Sequence, residues 1–548
     1  MSQVNLRPEL ANHLRQRLQA FRDGFRHNLA LIGPAGSGKT FQLHQLLAQP
    51  STNPLFFYCP LYRESCRSFL RRLLHVMLHA GLAEEPSSAG TRESPRTVVP
   101  VQREEHAAPS MELLLRSAEQ ALPKTATAIR TIEPLLARHL YGEAFNRVLD
   151  VIPVLSEERR QPTVLIFDEF LFLEELGLGH AFHELGKRVM TWPSTLFILS
   201  SSSPHRARVI LRERLQLLFG QFELLTVEAL NPQDAAAWIQ QELRGLRGAK
   251  AMSPFLIRWL GTSPSYLAVF LKRLKEVAVL RKTTELTEAV FVQTAWDVVG
   301  CEDGPLSQWC ASRVEAIASV RHGTRAIEVL LQIASGVRTT TEIGSRMGRA
   351  DLSSALQVLV EYDLVQRKGT CWVIPDSLLR CWVVNVLAAQ RAGTLLDETT
   401  RRAQFERYLT GTWLQWLQVS HLSLSDEVTR LLTKFRDDTV SLDSKTGRLP
   451  RFQAIRRQPV EGAGPGHYLV AEGQGRHWCC AVHDEPVDER AITAFDTFCR
   501  RQTPRPARKV VITRAGVDQN ARLLAKANNI WVWQAEDLEV LRELYGQT

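Results

Sequence analysis

No stretch of this sequence approaches the roughly 18 consecutive apolar residues that a membrane-spanning helix requires, so no membrane partner is expected. The arginine-rich opening, MSQVNLRPELANHLRQRLQAFRDGFRHN, lacks the apolar segment that directs secretion. No CxxC pair occurs among the nine cysteines, and their number is odd. A zinc knuckle and a disulfide framework both lose support, and a reducing, cytoplasmic setting is expected. Apolar residues are not scarce: the chain is 45% hydrophobic and 23% charged, ordinary values for a globular protein with real cores. Its 548 residues suggest about three or four domains. Basic residues outnumber acidic ones by 67 to 58, a net +9 that is compatible with a polyanionic partner without demanding one.

The strongest signal is LALIGPAGSGKTFQLHQLL. Leu29 to Ile32 form a short apolar run of the kind a buried strand shows, and an amphipathic helix follows with Phe41, Leu43, Leu46 and Leu47 on one face. Between them lies Gly33-Pro34-Ala35-Gly36-Ser37-Gly38-Lys39-Thr40, a full GxxxxGK[ST] match in the strand–loop–helix setting it needs. Glycines let backbone N–H groups converge on phosphate oxygens, and the helix N-terminus adds partial positive charge. The nucleotide-binding segment is therefore taken as Gly33 through Phe41. Lys39 is expected to reach the β- and γ-phosphates of ATP, and the Thr40 hydroxyl to ligate Mg2+.

Residues 163–170, TVLIFDEF, supply the second element. Val164 to Phe167 are continuously apolar, as a central parallel strand buried on both faces should be. Asp168 and Glu169 follow at its C-terminal end, where ligands bind in open α/β sheets. Asp168 is expected to hold Mg2+ through water. Glu169 is expected to orient and activate the attacking water. Leu55–Cys59 and Ser194–Ser200 read as two further strands. The second runs into four serines, among which Ser201 is the candidate γ-phosphate sensor. Among the arginines that follow, Arg206, Arg208, Arg212 and Arg214, Arg212 is the candidate finger.

These residues resemble the archaeal-type ATPases, AAA-related members of the STAND group of signal-transducing P-loop NTPases. The resemblance covers roughly residues 10–390 and rests on GPAGSGKT, VLIFDEF, the serine strand with LLFGQFELLTVEALNPQDAAAWI after it, and Gly261-Thr262-Ser263-Pro264-Ser265-Tyr266-Leu267. The last is similar to a GxP-type motif in the family's helical lid, which implies that Pro264 packs near the adenine. Relatives tend to carry arginine where this chain has Gln221, which puts that arginine's usual contact to phosphate or to a neighbouring subunit in doubt here.

The expected architecture is α/β: a P-loop (AAA-like) core with a parallel sheet over residues 1–230, interrupted by a flexible insertion near 84–110, then a helical lid over 231–318 and a winged helix over 319–390. In the winged helix three helices precede a hairpin, Leu364–Ile374. Its third helix, within DLSSALQVLVEYD, has no Lys or Arg, which argues against a DNA reader despite Arg367 and Lys368 in the wing. Residues 391–548 read as a separate α/β domain whose element order resembles the restriction-endonuclease-like fold. Its strand Trp478–Val482 lacks the acid-x-Lys of active nucleases, although Glu472, Asp484 and Glu485 lie nearby. Two acid-free basic runs, Lys445–Arg457 and Arg500–Arg514, offer a phosphate-tracking patch. The leading expectation is an ATP-hydrolysing switch that acts on a protein partner or on its own assembly. The alternative is a nucleic-acid-binding adaptor that engages DNA through the basic C-terminal domain.

Overall fold

The structure is a computed structural model that describes residues 6–48, 53–83, 111–213, 222–392, 397–442, 445–459, 466–473 and 476–546. The insertion expected near 84–110 lies outside the described residues, as do Arg214 and Gln221. Among the described residues no helix is long and apolar enough to cross a membrane. The chain divides into two compact units. The first comprises residues 1–242, 262–268 and 361–363, and the second comprises the rest. The segment expected as a lid is thus shared between the two.

In the first unit five strands run parallel: β1 (Asn28–Ile32), β2 (Leu55–Pro60), β3 (Thr163–Asp168), β4 (Thr195–Ser201) and β5 (Phe222–Thr226). Their order is β2-β3-β4-β1-β5. The first four coincide with apolar runs in the sequence. β5 does not, because its residues are half-buried or exposed at the sheet edge.

Side chains alternate across the sheet with period two, and this sorts the core into two layers. Leu29, Leu31, Tyr58, Val164, Ile166, Leu196 and Ile198 pack on one face against helices α1 (Pro8–Arg22) and α2 (Lys39–Leu47). Phe57, Cys59, Leu165, Phe167, Phe197 and Leu199 pack on the other, against the helices Cys66–Leu82, Tyr141–Arg159 and Ala181–Thr191.

The second unit holds the helices Gly323–Ala334 and Thr340–Met347 and all but the last residue of Leu352–Glu361. The second of these begins with a capping box: Thr339 Oγ1 accepts from the Glu342 N–H at 3.2 Å, and Glu342 Oε2 accepts from the Thr339 N–H at 3.1 Å. Strands β6 (Gln366–Lys368) and β7 (Cys371–Val373) form an antiparallel hairpin. Its tip is seated on the pair β8 (Asp438–Leu442) and β9 (Lys445–Leu449). The Thr370 N–H donates to the Thr439 carbonyl at 2.9 Å, and Lys368 is ion-paired with Glu543. A Cβ on Gly369 would run into the Thr439 carbonyl.

The remaining sheet, in the order of its strands, is β10 (Ala454–Pro459), β11 (Gly466–Gly473), β12 (Arg476–His483), β13 (Arg508–Thr513) and β14 (Ile530–Trp533). The first three are antiparallel, and the last two join β12 in parallel. Cys371 and Val373 of the hairpin belong to the same buried cluster as Trp478, Cys480, Trp531 and Trp533 of this sheet.

One ion-pair cluster ties this sheet to its helices. Glu427, on the helix Leu424–Leu432, is only 5% exposed and pairs with both Arg514 and Arg542. Burial alone pushes its carboxyl up, but the two guanidiniums outweigh that and hold it below the ordinary 4.5. A carboxylate depressed in this way stabilises the fold above the unfolded value, and the contribution is lost as pH falls through the folded value. Glu427→Gln is expected to cost about 3 kcal/mol at pH 7, the low end for breaking a buried pair because Arg514 is partly in water. In urea unfolding the gap between variant and wild type should narrow below pH 4.5. A gap constant from pH 7 to pH 3.5 or so would mean that the charge is not what the cluster uses.

Candidate functional site

The glycine loop joins β1 to α2. Gly36 and Gly38 take left-handed conformations, with φ of 77° and 95°, that side chains other than glycine adopt only with strain. A Cβ on Gly33 would collide with the Val227 carbonyl, so that position is closed to any larger residue. Gly38 is the N-cap of α2, and no side chain caps that end, which leaves its first N–H groups facing the loop. Pro34 is exposed, Ala35 half-buried and Ser37 buried; the Ser37 N–H donates to the Pro34 carbonyl at 3.2 Å. Phe41 is half-buried in the first turn of α2.

Lys39 is buried at 3% exposure and donates from Nζ to the Gly33 carbonyl at 2.8 Å and the Pro34 carbonyl at 3.0 Å. Burial pushes its ammonium pKa down, Glu169 and Asp168 oppose the shift, and Arg7 adds to it. Arg7, which donates to the Glu228 carbonyl, is a cation near the loop with no counterpart in the motif. Nothing in its sequence setting, just before α1, marks it.

The two acids at the end of β3 are held differently. Thr40 Oγ1 and the Tyr58 hydroxyl both donate to Asp168 Oδ2, at 2.8 Å and 2.9 Å, and the Ser200 hydroxyl donates to Asp168 Oδ1. Glu169 turns away with φ of 59°. Its carboxylate accepts from the Ser202 N–H at 2.8 Å and from the Ser202 hydroxyl. Burial pushes the Glu169 carboxyl up, Lys39 and the Ser202 bonds pull it back, and Asp168 adds to the rise.

The structure therefore brings Lys39, Thr40, Asp168 and Glu169 together; Ser201 meets the loop through its carbonyl, which accepts from the Gly33 N–H at 3.3 Å, and its hydroxyl is directed elsewhere. Ser201 is fully buried and its hydroxyl accepts from the Ser203 N–H at 3.1 Å. The reason is strand parity: Leu196 and Ile198 face α2, so Ser200 does too, and Ser201 points the other way. Counting by twos from Leu196 would have found Ser200. Tyr58 follows the same rule, in phase with Phe56 on β2. Arg212 lies exposed in the last turn of the helix Pro204–Glu213. Arg206 of that helix is ion-paired with Glu174 at 2.9 Å.

Pro264 opens the helix Pro264–Leu280, and the serines on either side of it reach the loop. Ser263 Oγ donates to the Gly36 carbonyl at 3.2 Å, and the Ser265 N–H donates to the same oxygen at 3.3 Å.

An anion fits this arrangement. The loop offers backbone donors, a helix N-terminus and a buried ammonium, and beside them stand a hydroxyl and a carboxylate 2.8 Å apart. Hard oxygen donors of that kind suit Mg2+, which is bound through one or two carboxylates together with phosphate oxygens and water.

No protein-family model matches the chain, and no curated protein matches it. Among solved structures, the Walker-type ATPase PABY2304 of Pyrococcus abyssi aligns at 14% identity with a TM-score of 0.44, covering 69% of this chain and 95% of that one. The Aeropyrum pernix ORC2 protein, solved in ADPNP–ADP complexes, aligns at 15% identity with a TM-score of 0.43, covering 72% and 96%. The Thermotoga maritima RuvB Holliday junction branch migration motor aligns at 14% identity with a TM-score of 0.29, covering 67% and 92%. Likeness at this level does not by itself fix an activity.

Proposed function

We propose that this chain is a Mg2+-dependent ATPase of the AAA/STAND type, used as a conformational switch that controls a protein partner or its own assembly. One observation carries the reading: Thr40, at the start of the glycine-loop helix, is hydrogen-bonded to Asp168 at the end of β3. A loop match and an acid pair 128 residues apart in sequence thereby become one site. In it, Gly36, Gly38 and the start of α2 hold the phosphates, and Lys39 neutralises the β- and γ-phosphate charge. Thr40 and Asp168 would hold Mg2+, which supplies charge neutralisation of the phosphates when bound. Glu169 orients water and accepts its proton, and its raised pKa makes it the better base.

The switch follows from the segment Thr262–Ala268. Ser263 and Ser265 are bonded to Gly36 at the crest of the loop, so nucleotide occupancy and the position of that segment are coupled. Pro264 lies between them in sequence, and the family resemblance is the ground for giving it a contact with the adenine. A ligand biases a conformation only through its different affinity for the two states, and a γ-phosphate held by the glycine loop would provide that difference. The test is limited proteolysis and solution scattering of the full chain with ADP and with a non-hydrolysable ATP analogue, alongside a hydrolysis assay. Hydrolysis together with nucleotide-dependent protection supports the reading. Hydrolysis with identical digestion patterns would leave an ATPase without a switch.

The DNA-binding alternative draws less support. Of the eleven basic residues in the two runs, Arg448, Arg456, Arg457, Arg500, Lys509 and Arg514 are ion-paired with Asp437, Glu472, Asp426, Asp496, Asp496 and Glu427. Arg508 lies over the Trp531 ring at 4.1 Å. Lys368 of the hairpin is paired with Glu543. Cations engaged with carboxylates neutralise fewer phosphates and so displace fewer of the DNA's counterions, so any DNA affinity is expected to have a shallow salt slope. We read the C-terminal sheet as restriction-endonuclease-like and without nuclease function. Asp484 and Glu485 are exposed, Glu472 is paired with Arg456, and β12, Arg476–His483, carries no acid-x-Lys.

A further inference from the structure

We propose that Tyr58 is a positioning residue for the metal-bearing carboxylate: its hydroxyl fixes Asp168 in the orientation in which Mg2+–nucleotide is bound. The proposal rests on the ATPase reading and deepens it.

The geometry begins with register. β2 and β3 are parallel and in phase, with Tyr58 opposite Ile166. Both side chains lie on the α2 face of the sheet, and Asp168 is the next residue of β3 on that face. A tyrosine leaning along its strand spans the interval, and its hydroxyl meets Asp168 Oδ2 at 2.9 Å. Serine or threonine at this position would fall short. The ring is fixed as well: it is 8% exposed and lies against His44 of α2, with centroids 5.0 Å apart. His44 is one helical turn beyond Thr40, so Tyr58 braces the glycine-loop helix and the carboxylate together.

Asp168 Oδ2 accepts from two hydroxyls, Thr40 and Tyr58, and only one of them can be spared. Thr40 is the hydroxyl assigned to Mg2+. When it turns to the ion, Tyr58 is left as the donor that keeps the Oδ2 lone pairs directed, while Ser200 holds Oδ1. Tyr58 touches neither nucleotide nor metal in this scheme and acts through Asp168. Groups that orient a ligating carboxylate set metal affinity more than nucleotide affinity.

The test is a Mg2+ titration of the binding of a fluorescent ATP analogue to the full chain, wild type against Tyr58→Phe, with affinity in EDTA and the melting temperature measured alongside. Phenylalanine keeps the ring and its contact with His44. The expected result is a Mg2+ midpoint raised about tenfold, with EDTA affinity unchanged. Tyr58→Ala should raise it no less and should also lower the melting temperature. A Tyr58→Phe midpoint equal to that of wild type overturns the proposal, and so does an equal loss of affinity with and without metal. Wild-type protein that binds no nucleotide at saturating Mg2+ would instead overturn the ATPase reading beneath it.

Discussion

Glu169→Gln should leave nucleotide binding within about threefold of wild type and lower the hydrolysis rate by about a hundred- to ten-thousandfold, the range that a positioned base contributes. The glutamine amide has the shape of the carboxylate and keeps an oxygen to accept from Ser202, whose N–H and hydroxyl hold Glu169 now. What disappears is the proton acceptor. Burial raises the Glu169 carboxyl above its ordinary 4.5, so wild-type turnover should fall on the acid side at a pH above that value, and the residual rate of the variant should lack this fall. Single-turnover hydrolysis across pH, paired with equilibrium binding, separates the two effects. A variant that turns over at the wild-type rate would move the base to another residue and leave the Ser202 contact as a purely structural one.

Lys39→Ala should weaken binding of ATP and its analogues by about ten- to a hundredfold, the worth of one or two charge-assisted hydrogen bonds. The ammonium is buried, and it is aimed by the two carbonyls it touches, Gly33 and Pro34. It is therefore pre-placed over the loop at no cost in side-chain entropy on binding. A methionine variant would keep the packing of the stem while removing the charge. Similar losses in Lys39→Ala and Lys39→Met, with melting temperatures close to wild type, place the effect on charge. Unchanged affinity in both would remove the glycine loop from the binding site.

How legible the site was in the sequence depended on the kind of signal each residue gave. The loop and the acid pair are written in local strings, GPAGSGKT and VLIFDEF, because backbone conformation and strand burial are local demands. Four of the five strands in the first sheet show as apolar runs because neighbours cover both faces. The residues of β5 are half-buried or exposed and leave no such trace. Ser201 was the natural choice in a row of four serines, yet the row gives no phase by itself, and the phase is set by Leu196 and Ile198 upstream. Tyr58 and Arg7 act on the site only through pairing across strands and through charge felt at Lys39, which no string of neighbours records. The basic runs near the C-terminus looked like a surface patch because their acidic partners are supplied by Asp426, Glu427, Asp437, Glu472 and Asp496, and only folding brings most of these carboxylates alongside.

The seating of the β6–β7 hairpin on β8 bears on how this protein can be taken apart. Cys371 and Val373 share one apolar cluster with Trp478, Trp531 and Trp533, so the boundary that composition suggests near residue 390 runs through a common interior. A fragment ended there would present that cut surface to water and invite self-adhesion, and the complementary fragment would carry the matching half. The hairpin and the C-terminal sheet are thus expected to melt together rather than one after the other.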